Sequence, residues 1–226
     1  MYLRRIIAAL LIIFLIFLPI ETYGHRHHKH AKPAPLPAWC QVQGYHCVRI
    51  KEGQSWTSLF PDEIERDIVM RVNRTNNSLY GGLVIKVPDN LATADVLDYA
   101  PFQRKIEQQG EKLIMVDLTQ NAWAAYDAEG SLVRWGPATG GSSWCKDINH
   151  ACPTKAGHFR VYSLGSSSCV SRKLPLPRGG APMPYCMFFD GGQALHGSPR
   201  GVTNDNVSHG CVRLYVSDAE WLLLIQ

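Results

Sequence analysis

Apolar residues fall in three rhythms along this chain, and each predicts a different kind of element. The first is an unbroken run, Ile6 to Leu18, behind Arg4 and Arg5. Pro19 stops any helix there, and Thr22-Tyr23-Gly24 offers small or near-small residues ahead of His25, the plan of an export signal over residues 1–24. A spanning helix needs about 20 apolar residues, so an export signal is preferred to a retained anchor. Residues 25–45 carry no apolar period; His25-Arg26-His27-His28-Lys29-His30 and a Pro/Ala stretch read as a solvated tail and stiff linker, with metal binding by the histidines the lesser reading.

The second rhythm is helical and lies inside a short unit, residues 46–88. His46 to Lys51 alternates like a strand, Gly53-Gln54-Ser55-Trp56 turns the chain with Ser55 as a helix cap, and Ile64, Ile68 and Val72 recur four apart within Pro61–Arg74. Asn76-Asn77 breaks that helix and Leu83 to Pro88 reads as a closing strand. Residues 89–110 read as a linker with a short helical turn around Ala92–Leu97.

From Lys112 the rhythm shortens to period two. Leu113–Leu118, Ala122–Asp127 and Ser131–Trp135 predict a meander, which Pro153 to Val161 is expected to continue. Short strands punctuated by Gly and Pro predict a mostly β sandwich or barrel over residues 111–226. Asp218 onward predicts a helix with an apolar face.

Composition adds compartment more than fold. A hydrophobic fraction of 46% supports a packed core, and the net charge of +4 is scattered with no basic tract, which leaves nucleic-acid binding without support. Seven cysteines in an exported chain divide most simply into three disulfides and one working thiol. Local pairs, Cys40–Cys47, Cys145–Cys152 and Cys169–Cys186, are favoured because each flanks a loop-like stretch; bridges crossing between those loops stay open. The Cys-x6-Cys spacing is too long for a zinc knuckle, and no metal site is expected.

The chemistry concentrates near the C-terminus, where Ser208-His209-Gly210-Cys211-Val212-Arg213-Leu214 follows His196-Gly197. A thiol with an upstream histidine and a Gly-Cys backbone has the parts of covalent acyl transfer: nucleophile, base and oxyanion donors. His196 and Cys211 are expected on neighbouring strands joined by the loop Ser198–Val207, with an imidazolium at His196 stabilising a Cys211 thiolate.

This pattern strongly resembles the L,D-transpeptidase (YkuD-like) family, and the resemblance extends to Ala138-Thr139-Gly140 and Thr154-x-Ala156-Gly157-x-Phe159. It implies a catalytic role for Cys211, His196, His209, Gly210 and Gly197: the Gly197 carbonyl orienting His196, the Gly210 and Cys211 N–H groups around the oxyanion, and His209 either sharing in proton transfer or holding the turn by a local hydrogen bond. Arg213, Ser208 and Tyr185 are the substrate-binding candidates, with Met187 a further cleft residue or simply core. The family domain usually continues into a last strand after its final helix, whereas this sequence ends with that helix.

Residues 46–88 resemble a LysM module through Gly53-Gln54-Ser55, Asn76 and the closing Gly82-x-x-Ile85-x-Val87-Pro88. The expected whole is a mostly β, L,D-transpeptidase-type β-sandwich or barrel catalytic domain with a small α+β LysM-like module, the module separable from catalysis on soluble substrates. The resemblance implies an enzyme of the periplasm or cell envelope. It would use no cofactor, take peptidoglycan stem peptides and glycan as partners, and touch the membrane only through its export signal. An L,D-carboxypeptidase or other hydrolase at the same site is the alternative, as is a non-catalytic wall-binding or host-interaction protein of the enhanced-entry type.

Overall fold

Residues 35–225 are described by the computed structural model; the Ile6–Leu18 run and the His25–His30 tract lie outside them. The first unit is a two-stranded sheet with two helices between its strands. β1 (Tyr45–Arg49) pairs antiparallel with β2 (Val84–Pro88), Tyr45 opposite Pro88. Ser55 caps α1 (Trp56–Leu59) by accepting the Ser58 N–H, while the Ser58 hydroxyl accepts the Ser55 N–H in return. Asp62 caps α2 (Glu63–Val72) by accepting from the N–H groups of Ile64 and Glu65.

The buried stripe of α2 differs from the expected one. Ile64 is 71% exposed, and Val69 takes its place beside Ile68 in the interior. The buried residues of the helix, Ile68, Val69 and Arg71, all lie in its C-terminal half, so the first turn is left in solvent. Asn73 then fixes the helix end: its side chain donates to the carbonyls of Val69 and Lys86 and accepts the Lys86 N–H, tying α2 to β2.

The larger part holds two sheets. β3 (Leu113–Asp117), β4 (Ala122–Tyr126) and β5 (Leu132–Pro137) form an antiparallel meander. β6 (Ser163–Leu164), β7 (Met187–Asp190) and β8 (Gln193–Gly197) are antiparallel neighbours, and β9 (Val212–Leu214) joins β8 in parallel. Every residue of the central strand β4 is buried, because both its faces are covered. Trp123 and Ala125 pack with Met187, Leu195, Val212 and Leu214 of the second sheet and with Ala219 and Leu222 of α3 (Val216–Leu224). Ala124 and Tyr126 face the other way, against Trp135 and residues Val96, Leu97 and Phe102 of the connecting segment. That segment winds through short helical turns at Leu91–Thr93 and Val96–Tyr99, and the Val96 carbonyl accepts the Trp135 indole N–H.

The strand expected over Pro153–Val161 does not form. Thr154 and Lys155 spend their hydrogen bonds on side-chain links instead, Thr154 Oγ1 with Gly141 and Gly210 and the Lys155 N–H with Gln193 Oε1, and Gly157 turns the chain at φ +148°. Met187 is fully buried core and lines no cleft.

The two parts are joined by charge. Arg71 of α2 forms a bidentate pair with Asp218 of α3, both N–O distances 2.9 Å, and also donates to the Trp135 carbonyl. Arg134 donates to the same carboxylate at 2.8 Å. Residues from Leu36 onward cluster as one unit. Among the described residues no helix is long and apolar enough to cross a membrane.

Candidate active site

The parallel pairing of β8 and β9 sets His196 opposite Arg213. Cys211 immediately precedes β9 and packs against a cluster that includes Ala194, which shares a face of β8 with His196 two residues on. Among the described residues Cys211 is the one cysteine outside a disulfide; Cys40–Cys47, Cys145–Cys152 and Cys169–Cys186 form the three local bridges. Its thiol packs beside Met183, Cys186 and Ala194 and lies 3.9 Å from the Gly192 carbonyl.

His196 is buried, and its Nδ1 lies 2.8 Å from the Gly197 carbonyl. Only the protonated nitrogen can donate there, so the bond fixes the tautomer and leaves Nε2 as the acceptor. Gly197 is itself held by its N–H on the Pro184 carbonyl, 2.8 Å away.

Burial works against the expected ion pair. Burial pulls the His196 imidazole down to about 4; the Gly197 carbonyl opposes this and the nearby Arg213 charge adds to it. Burial pushes the Cys211 thiol above its ordinary value, against the Ala194 N–H and Arg213, which favour the thiolate. Burial of both groups thus favours the neutral form of each, a thiol and an imidazole. The Arg213 guanidinium has no carboxylate partner among the described residues and interacts electrostatically with Cys211 and Arg200.

Two other expected site residues serve the turn rather than a ligand. Ser208 is 1% exposed; its hydroxyl donates to the Cys211 carbonyl and accepts the Gly210 N–H. It therefore cannot reach substrate, and the Gly210 N–H, expected at the oxyanion, is already engaged. Gly210 has φ +107°, a conformation that a side chain would strain, and a Cβ there would lie 2.8 Å from Gln193 Nε2. Tyr185, expected in the cleft, donates its hydroxyl to Glu220 of α3 at 2.8 Å.

His209 is held by a residue the sequence reading missed. Its Nε2 lies 2.8–2.9 Å from both carboxylate oxygens of Asp147, which sits inside the ring closed by Cys145 and Cys152. The His209 bond holds the Asp147 carboxyl below its usual range. Asp147 has no motif of its own; only the flanking cysteines hinted that this loop is held in place. Cys145, Asp147 and His209 offer ligand atoms within 4.8 Å of one another, but the Cys145 sulfur is bonded to Cys152 and is neither a nucleophile nor an ordinary metal ligand.

The family model of the L,D-transpeptidase catalytic domain, YkuD, matches residues 111–224. Among solved structures, an L,D-transpeptidase from Xylanimonas cellulosilytica is similar at 23% identity and a TM-score of 0.48, over 69% of this chain and 70% of that one. One from Mycobacterium smegmatis is similar at 24% identity and a TM-score of 0.41, over 51% of this chain and 54% of that one, so the chain spans about half of that relative's length. One from Stackebrandtia nassauensis is similar at 17% identity and a TM-score of 0.43, over 72% and 62%. No curated protein matches. With half of its length matched by the family model, the chain belongs to the YkuD L,D-transpeptidase catalytic-domain family.

Proposed function

We propose that this protein is a peptidoglycan L,D-transpeptidase with Cys211 as nucleophile and His196 as base. The observation that carries the reading is the β8–β9 pairing, which sets the tautomer-fixed His196 opposite Arg213, while Cys211, just before β9, packs beside Ala194 of β8; among the described residues Cys211 is the one free thiol and Arg213 has no carboxylate partner. His196 Nε2 takes the thiol proton as sulfur attacks the carbonyl between the L-centre of the diamino acid and terminal D-alanine of a stem tetrapeptide. The Cys211 N–H is the backbone donor offered to the oxyanion. The C–N bond breaks, the imidazolium returns its proton to the D-alanine amine, and a thioester remains. An acceptor amine then attacks the thioester, gives its proton to His196 and regenerates the thiol. Arg213 holds a carboxylate of the stem peptide by its planar fork. The neutral resting pair suits this sequence, since proton transfer and attack occur together only when substrate is bound.

Transfer to water at the same site would make the protein an L,D-carboxypeptidase. The three disulfides and the apolar run behind Arg4-Arg5 support export to the periplasm or cell envelope, and the strand–helix–strand unit supports a LysM-like contact with glycan.

Purified protein incubated with tetrapeptide muropeptides should yield cross-linked dimers and free D-alanine, with a Cys211 thioester in intact-mass spectra that Cys211→Ala lacks. Tripeptides without dimers would make it a hydrolase. Unchanged substrate, or full turnover by Cys211→Ala, would overturn the covalent mechanism.

A further inference from the structure

The loop Ser198–Val207 joins the histidine strand to the cysteine turn, and part of what holds it comes from outside the catalytic part. On the catalytic side, the Ser198 N–H donates to the Leu214 carbonyl. Thr139 Oγ1 donates to the Thr203 carbonyl and accepts the Thr203 N–H. Asn206 accepts the Gly140 N–H and donates to the Leu118 carbonyl. Val202 stands apart from these anchors. It is fully buried, and both of its peptide groups are satisfied by the turn that follows α2: its N–H donates to Asn76 Oδ1 at 2.8 Å, and its carbonyl accepts from Thr75 Oγ1 at 2.9 Å and from the Asn76 N–H at 3.4 Å. Next to it, a Cβ on Gly201 would lie 2.1 Å from Asn77 Oδ1, so the two segments meet without room for a side chain.

We propose that Thr75 and Asn76 are positioning residues for the acyl-transfer site, holding from the N-terminal unit the loop on which the spacing of His196 and Cys211 depends. This rests on the reading of Cys211 and His196 as nucleophile and base. The loop starts one residue after the carbonyl that orients His196 and ends one residue before Ser208, whose hydroxyl ties the Gly210 N–H and the Cys211 carbonyl. A shift at Val202 is therefore passed to both ends of the site at once. Without the Asn76 side chain the buried Val202 N–H has no partner, and the loop must move to find one. Displacements of about 1 Å in a reacting pair can cost on the order of 100-fold in rate.

The test uses the full chain with Asn76→Ala, Asn76→Asp, which keeps an acceptor for the Val202 N–H, and Thr75→Val, which removes one donor to the Val202 carbonyl. Two rates are read for each: acylation of Cys211 by a donor tetrapeptide, and alkylation of Cys211 by iodoacetamide as a function of pH. Asn76→Ala should slow acylation at least about tenfold while still melting cooperatively, with little change in KM and an altered alkylation profile. Asn76→Asp should return both rates to within about threefold of the wild type. Thr75→Val should lie between them and gives the answer if Asn76→Ala fails to fold. Wild-type rates in a folded Asn76→Ala, or in Thr75→Val when that is the folded variant, would overturn the proposal. If the wild type is never acylated but the alkylation profile still moves with Asn76, the transpeptidase reading fails and the positioning role stands.

Discussion

Arg71 and Asp218 lie 147 residues apart and meet as a bidentate pair in which the carboxylate is completely buried. Breaking a buried pair leaves a charge without a partner, at a cost of about 3–5 kcal/mol. Asp218→Ala, which leaves the buried Arg71 only part-exposed Asp67 as a carboxylate partner, should destabilise the protein toward the lower end of that range, about 3 kcal/mol, in urea unfolding. Arg134→Ala should cost about 1 kcal/mol or less, because Arg134 is part-exposed and leaves Asp218 still paired to Arg71. A fragment lacking residues 35–101 should lose turnover of soluble muropeptides as well as stability, against the expectation that the first unit is separable.

His196 gives stability a defined acid limb. An ordinary histidine titrates near 6.5, whereas burial holds this one at about 4. Below about pH 6.5 the unfolded chain takes up a proton that the folded one refuses, so this contribution is complete above that pH and is lost as pH falls toward 4. The loss should reach about 3 kcal/mol, and His196→Gln should remove this part of the pH dependence in urea titrations run between pH 4 and 7. Iodoacetamide should alkylate Cys211 at a rate that keeps rising into the alkaline range, since burial pushes the thiol up.

His209 and Asp147 should behave as one unit. Asp147→Asn and His209→Ala should slow Cys211 acylation by similar factors, and the double variant should be no slower than the worse single one. Replacing Cys145 and Cys152 together by serine opens the ring that carries Asp147 and should cost about 2 kcal/mol of stability. An additive double-mutant cycle for Asp147 and His209 would show that their contact does not reach the site.

The meander strands and the start of α1 were legible in the sequence because each has a local signature. Alternation marks β3 to β5, and Ser55 after the Gly53-Gln54 turn marks the start of α1. What was not legible depends on partners far along the chain. Asp218 reads as an ordinary residue at a helix start, and only the arrival of Arg71 and Arg134 makes it buried. Ser208 has a place in the motif that suggests substrate, yet the sharp turn at Gly210 folds its hydroxyl back on its own backbone. Residues 153–161 carry strand-like composition, but the Pro153 carbonyl and Lys155 N–H answer to the Gln193 side chain, and the Thr154 hydroxyl donates to the Gly210 carbonyl, in place of a ladder with a neighbouring strand. The resting charge of His196 was likewise set by burial, which its neighbours in sequence do not reveal.

Each bridged cysteine is joined to the very next cysteine along the chain, at separations of 7, 7 and 17 residues. A polypeptide threaded N-terminus first into an oxidising space would meet its thiols in matching couples, every one able to close before the following couple appears. Cys211 is the last to arrive, when all six others are spoken for. In such a space the order of emergence would leave the Cys211 sulfur without a cysteine to pair with.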